Sequence, residues 1–218
     1  MINLNKIKKE KPIEELINFS ILNVDKPAGW TSFDVVNHIR ITLGLNKCGH
    51  FGTLDPRVTG VLPICLGKAC RIQDLFMHHD KIYTGKMRLH KDVNKEELEK
   101  AMKKFLGIIN QLPPRVSRVK RQIRQREITE FKLTKFDKKK KEAEFYSHVQ
   151  AGTYIRKLID DLGKELTIGA QMTGLRRLKA GLFSEKDSEF TTVEKLDKAI
   201  EEYKKGNDKK IEGNFNSG

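Results

Sequence analysis

The stretch HFGTLDPRVTG, His50 to Gly60, sets one carboxylate, Asp55, between a glycine-containing turn and a proline. Gly49 and Gly52 admit backbone geometry that a Cβ resists, and Pro56 fixes φ directly after the acid while biasing Asp55 toward an extended conformation. A lone Asp-Pro beside Gly-Thr is ordinary turn chemistry. The same arrangement is also how a loop holds a single acid still, and what surrounds it decides between the two.

Upstream, an apolar run predicts a first strand near Ile21 to Val24. Thr31 or Ser32 then caps a helix whose apolar positions Phe33, Val36, Ile39 and Leu43 recur at helical spacing until Gly44 ends it, delivering the chain to the Asp55 loop. Downstream, Val61 to Leu66 reads as a buried strand, Ala69 to Met77 as a short helix and Lys81 to His90 as a strand with Tyr83 near its start. Asn94 and Glu97 form a capping box for a helix burying Leu98, Ala101, Met102 and Phe105, closed by Gly107. After Pro113 and Pro114 come Arg115, Arg118, Lys120, Arg121, Arg124 and Arg126, a cationic run without an acid. Glu127 to Phe136 and Ala143 to Gln150 predict a hairpin with a charged tip at Asp137 to Lys141. Thr153 is positioned to cap a helix with an Ile155, Leu158, Ile159, Leu162, Leu166 stripe, and Thr191 with Glu194 begins a last one.

The 218 residues suffice for one good core, and 43 Lys and Arg against 29 Asp and Glu leave a net charge of +14. Glu does not keep pace with Lys as it does on generic solvated faces, so the excess favours a polyanionic partner, with binding that weakens in salt. Cys48, Cys65 and Cys70 lack the paired spacing of a zinc or redox site, which predicts reduced thiols. No apolar stretch has the length of a membrane span or signal peptide, so a cytoplasmic protein is expected, nucleolar if eukaryotic.

Five pieces in fixed order carry a resemblance: LNVDKPAGWTS (Leu22 to Ser32), HFGTLDPRVTG, LPPRVSRVKRQIRQR (Leu112 to Arg126), AGTYIRKLIDDLG (Ala151 to Gly163) and GLRRLKAG (Gly174 to Gly181). Together the chain resembles the TruB and dyskerin branch of RNA pseudouridine synthases. The resemblance implies an α/β (α+β) fold with a central mixed, largely antiparallel sheet flanked by helices. It places the catalytic domain at residues 12–203, after a charged lead (1–11) and before a polar tail (204–218), without the PUA domain into which archaeal and eukaryotic relatives continue.

By the same resemblance Asp55 is the catalytic carboxylate and Arg156 its partner, keeping the acid ionised and fixing its rotamer. His50 would hold the flipped nucleotide or fill its gap, Tyr83 would stack on it, and Tyr154 and Leu175 would line the uracil pocket. Lys26 and Pro27 look like framework under the loop. The cations from Arg115 to Arg126 would position RNA backbone. No cofactor or metal is implied. Phe51 stands where relatives usually carry a small residue, and is expected to narrow the site or add a stacking surface. Gly174 and Lys179 also depart from the commonest residues.

PIEELI (Pro12 to Ile17) and the basic stretch resemble the dyskerin branch, which works on rRNA with H/ACA guide RNA and accessory proteins. LPICLG (Leu62 to Gly67) is equally at home in proteins that modify the T-loop of tRNA alone. The alternative from another class is a catalytically silent RNA-binding scaffold, which needs neither Asp55 nor Arg156. A glycosidase is disfavoured because no second acid accompanies Asp55.

Overall fold

The computed structural model describes residues 12–113 and 122–205, together with the backbone of 216 and 217. In chain order the elements are α1 (Ile13–Ile17), β1 (Ser20–Lys26), α2 (Ser32–Thr42), β2 (Cys48–His50), β3 (Thr59–Leu66), a 3-10 turn (Gly67–Ile72), α3 (Gln73–Met77) and β4 (Lys81–Leu89). They continue with α4 (Lys95–Lys103), β5 (Gly107–Gln111), β6 (Arg124–Asp137), β7 (Glu142–Val149), α5 (Ile155–Glu165), β8 (Ala170–Ala180), β9 (Phe183–Ser184), β10 (Thr191–Thr192), α6 (Val193–Lys204) and β11 (Asn216–Ser217). This is a mixed α/β fold with mostly antiparallel pairing, as expected. The chain forms two compact units, one from Met1–Met77 with Lys179–Gly218, the other from His78–Leu178. Among the described residues, no helix is long and apolar enough to cross a membrane.

In the first unit β1 pairs antiparallel with β3, from Ile21 opposite Cys65 to Lys26 opposite Gly60. Its other edge takes β10 in parallel at Val24 and Asp25, and β11 antiparallel at Ser20 and Ile21. β2 extends the sheet beyond β3. The helix α2 starts where predicted, with a complete capping box between Thr31 and Asp34. Its buried stripe is Ser32, Val35, Val36 and Ile39. Phe33, expected inward, lies one position off that stripe and is 70% exposed. Helix α6 is capped by Thr192, whose hydroxyl accepts from Lys195 N at 3.3 Å; Thr191 is drawn instead into β10 opposite Val24. His38 Nε2 and Asp197 Oδ1, 2.8 Å apart, tie α2 to α6.

The second unit has strand order β8-β4-β7-β6-β5. β4 and β7 pair antiparallel along their lengths, and both alternate strictly, burying Lys81, Tyr83, Gly85, Met87 and Leu89 on one and Ala143, Phe145, Ser147 and Val149 on the other. That period of two is what one packed face demands. β6 and β7 form the predicted hairpin, with register shifts between Ile128 and Glu130 and between Leu133 and Lys135. At its tip Asp137 Oδ1 accepts from Lys140 N, and Lys141 takes φ 55. The Asn94 and Glu97 capping box of α4 is present. That helix ends at Lys103, and Gly107 opens a strand the sequence did not signal, β5, paired with β6. Thr153 does not cap α5; its hydroxyl bonds Gln150 O at 2.7 Å and Tyr154 takes the N-cap position. Residues 1–11, Arg115, Arg118, Lys120, Arg121 and most of the polar tail lie outside the described residues.

Where α5 turns into β8, Gly163 permits direct backbone contact: a Cβ there would lie 2.1 Å from Ala170 N and 2.6 Å from Gly169 C. Backbone cannot retreat as a flexible side-chain tip can. Gly163→Ala is therefore expected to lower the unfolding free energy by about 2–3 kcal/mol. Gly174→Ala, whose new Cβ meets only the Lys86 side chain at 3.7 Å, should change it by less than about 0.5 kcal/mol. Urea titrations of the two variants measure the contrast.

Candidate active site

In the first unit the peptide groups on both sides of Asp55 are anchored. The Leu54 N–H donates to Ser32 Oγ at 2.8 Å, and that hydroxyl donates back to Leu54 O at 3.1 Å. The carbonyl of Pro56 accepts from Lys26 Nζ at 3.1 Å and from Gly29 N at 2.9 Å. Val58 N closes the turn onto Asp55 O at 2.9 Å. Between these anchors the Asp55 residue is exposed. The backbone around the acid is held while the residue itself faces solvent.

Lys26 is fully buried, and its ammonium donates also to Pro27 O at 2.7 Å and Trp30 O at 2.5 Å. Burial pushes its pKa down, while the charges of Asp34 and Asp55 push it up. Three carbonyls match the three donors of an ammonium, which lets the charge stay in place.

Gly52 takes φ 121, a conformation that L side chains rarely adopt, and donates its N–H to His50 Nδ1 at 3.3 Å. A neutral His50 ring accepting there carries its proton on Nε2. Phe51 corrects the sequence expectation. It is 1% exposed, stacked on Phe76 with ring centroids 4.9 Å apart, and tilted against Phe183 at 5.9 Å. Ile21, Cys65, Ala69 and Cys70 complete that cluster, so the ring fills the core of its own unit rather than offering a stacking surface. Phe51 is a packing anchor for the loop.

The second unit holds Tyr83, Tyr154, Arg156 and Leu175. Tyr83 lies buried on the inward face of β4, and Arg177, two residues beyond Leu175 on neighbouring β8, hydrogen-bonds its side chain. Arg177 is 1% exposed. Lys81, on the same face as Tyr83, is buried too and donates to His79 O at 2.5 Å. Burial pushes the Lys81 ammonium down to about 8, the Arg177 charge adds to the push, and Asp80 opposes it. Tyr154 is half-buried, and Arg156 is exposed in the first turn of α5. Arg126, of the predicted RNA-contacting cations, packs on the turn before Tyr154: a Cβ on Gly152 would lie 2.9 Å from its Nη2. Arg124 stands two residues earlier on β6.

Ser32, Lys81, Gln111 and Arg177 were not singled out by sequence reasoning. For Arg177 a signal existed: it shares a strand face with Leu175, where two-residue alternation along β8 puts a charge at an inward position. Ser32, read only as a possible cap, shows its second role through a partner 22 residues away.

A model described as TruB family pseudouridylate synthase (N terminal domain) matches residues 40–99, and one described as tRNA pseudouridylate synthase B C-terminal domain matches residues 156–213. The probable tRNA pseudouridine synthase B of Methanopyrus kandleri is 47% identical over 83% of this chain and 53% of its own length. The chain belongs to the TruB family of pseudouridine synthases. That of Pyrococcus furiosus, also called probable tRNA pseudouridine synthase B, is 41% identical over 87% of this chain and 55% of its own. The chain thus spans about half the length of the curated TruB relatives it matches. Among solved structures, a chain of a Cbf5-Nop10-Gar1 complex superposes with a TM-score of 0.90 at 38% identity, covering 96% of this chain and 63% of that one. A chain of an H/ACA RNP bound to a substrate RNA containing 2'-deoxyuridine gives 0.85 at 35% identity, over 96% and 62%. The dyskerin-like side of the TruB family is therefore well represented among its structural neighbours.

The buried cations give a pH signature. Lys81 has a folded pKa near 8, below the ordinary 10.5 of the unfolded chain, so folding sheds its proton between those values. Its burial cost is present in full below that window and fades as pH rises through it. The unfolding free energy of the wild type, taken relative to Lys81→Met, should rise by on the order of 3 kcal/mol from about pH 8 to pH 10.5. Paired urea titrations across that range measure it; a flat difference would mean that the ammonium is solvated. Ser32→Ala, which strips both Leu54 peptide groups of a buried partner, should cost about 2 kcal/mol at neutral pH in the same measurement.

Proposed function

We propose that this chain isomerises uridine to pseudouridine in RNA, with Asp55 as the reacting carboxylate. The observation that carries the proposal is the doubly anchored loop that presents Asp55 in a family defined by this activity. In the reaction the bond from C1′ to N1 breaks, the uracil turns in place, and a bond from C1′ to C5 forms. The C5 proton leaves and N1 regains one, so nothing is added overall. An ionised carboxylate beside C1′ serves either as nucleophile on the sugar or as base at C2′, and both roles need the charge. Arg156 is assigned to keep that acid ionised, by its place in the family motif. The uridine must leave its stack to be reached. Tyr83, held at its oxygen by Arg177, is assigned to receive the flipped base, with Tyr154 and Leu175 lining the uracil pocket and His50 supporting the nucleotide.

The net charge of +14 supports a long RNA contact, to which Arg124 and Arg126 contribute together with Arg115, Arg118, Lys120 and Arg121. Two RNA classes are supported by different relatives. The curated relatives are named for tRNA, while the structural neighbours are assemblies with Nop10, Gar1 and substrate RNA. A catalytically silent scaffold is the second reading, favoured by the same net charge.

Tritium release from uridine labelled at C5 separates the readings. The protein is incubated with tRNA and rRNA transcripts, alone and with H/ACA guide RNA and accessory proteins. Wild type should release tritium and Asp55→Ala should be slower by about 10²–10⁴-fold or more. Release on tRNA alone assigns a stand-alone enzyme, and release only with guide and accessory proteins assigns an H/ACA component. Equal release by both proteins, or none under any condition, would sink the catalytic proposal.

A further inference from the structure

We infer that Gln111 is a positioning residue for the helix start that carries Tyr154 and Arg156, an inference that rests on the reading of those two residues as substrate and catalytic groups. Gln111 ends β5, is 2% exposed, and meets the backbone of Tyr154 at two points. Its Oε1 accepts from Tyr154 N at 3.0 Å and its Nε2 donates to Tyr154 O at 3.3 Å. A side-chain amide thus pairs with the N–H and the C=O of one residue, as opposite residues of an antiparallel ladder do, although Tyr154 belongs to no strand.

The place at which this happens matters. Tyr154 is the N-cap of α5, with φ −92 and ψ 100, and its own side chain makes no capping hydrogen bond. Thr153, the residue suited to that task, spends its hydroxyl on Gln150 O. The angle at which the chain enters α5 is therefore set by Gln111 from a strand 43 residues away. Tyr154 O also accepts the first helical bond, from Leu158 N at 3.0 Å, so clamp and helix share one carbonyl. Arg156 sits two residues further on, within that first turn, and its direction follows from the orientation of the Tyr154 peptide. A buried glutamine with both ends bonded could be structural and nothing more. What marks this one is its target: it fixes the backbone of one proposed site residue, Tyr154, two positions before the other. A misplacement on the ångström scale at such a point costs rate far more than it costs binding.

Gln111→Met keeps the volume and removes both bonds; Gln111→Glu keeps the acceptor and, when ionised, loses the donor. Single-turnover tritium release and RNA affinity are measured on the full chain, with amide hydrogen exchange at Tyr154 as a readout independent of activity. Gln111→Met should exchange faster at Tyr154 and turn over about tenfold more slowly, with an RNA Kd within about twofold of wild type. Gln111→Glu should recover relative to wild type as pH falls toward 5, because a protonated carboxyl both donates and accepts. A loss confined to RNA affinity or melting temperature, an unchanged turnover rate in Gln111→Met, or a Gln111→Glu that tracks wild type across the pH range would overturn this role alone. A wild type inactive on every RNA would sink the enzyme reading and this role with it.

Discussion

The ammonium of Lys26 has been taken out of water, and the first unit is arranged around that fact. An unmatched buried charge of this kind costs several kcal/mol, and here three carbonyls, from Pro27, Trp30 and Pro56, meet its three donors. Two of them belong to the segment that follows β1 and the third to the residue after Asp55. One side chain thus fixes the exit of a strand and the position of a loop 30 residues away. Ser32, first residue of α2, secures the other flank by serving as donor and acceptor to Leu54 at once. The acid itself is left with backbone constraint on either side and exposure in between, which suits a group that must reach a substrate without being disordered.

The second unit uses a comparable device on a different scale. Instead of a lysine binding a loop, Arg177 bonds a tyrosine on the neighbouring strand, and a glutamine binds a helix start. In each case a buried polar group from one element determines the orientation of a residue on another. The elements differ, but the physical reason is shared: a buried donor that loses its partner is costly, so its partner cannot wander.

Elements whose boundaries depend on neighbouring residues were legible in the sequence. The Asn94 and Glu97 box, the Thr31 cap and the β6–β7 hairpin all appear where local chemistry puts them. Errors arose where a distant or competing contact decided the outcome. Thr153 fails as a cap because the Gln150 carbonyl takes its hydroxyl, and Thr191 fails because the helix begins one residue later, with Thr192 at the cap. Phe51 looked like part of the site because it adjoins the motif, yet Phe76 and Phe183 draw it inward. The strand β5 carries no alternating apolar pattern, with Ile108 exposed and Gln111 buried, so only its pairing with β6 reveals it. The motif order made the candidate site legible by resemblance, whereas the residues that hold it, Ser32, Gln111 and Arg177, depend on contacts that no local pattern encodes.

The buried pair of Lys81 and Arg177 also bears on temperature. Hydration of a charged group carries a strongly negative entropy, so water becomes a poorer host for these cations as it warms. The penalty for keeping them inside the second unit therefore shrinks on heating. A fold that pays for two interior cations at room temperature is correspondingly less handicapped when hot.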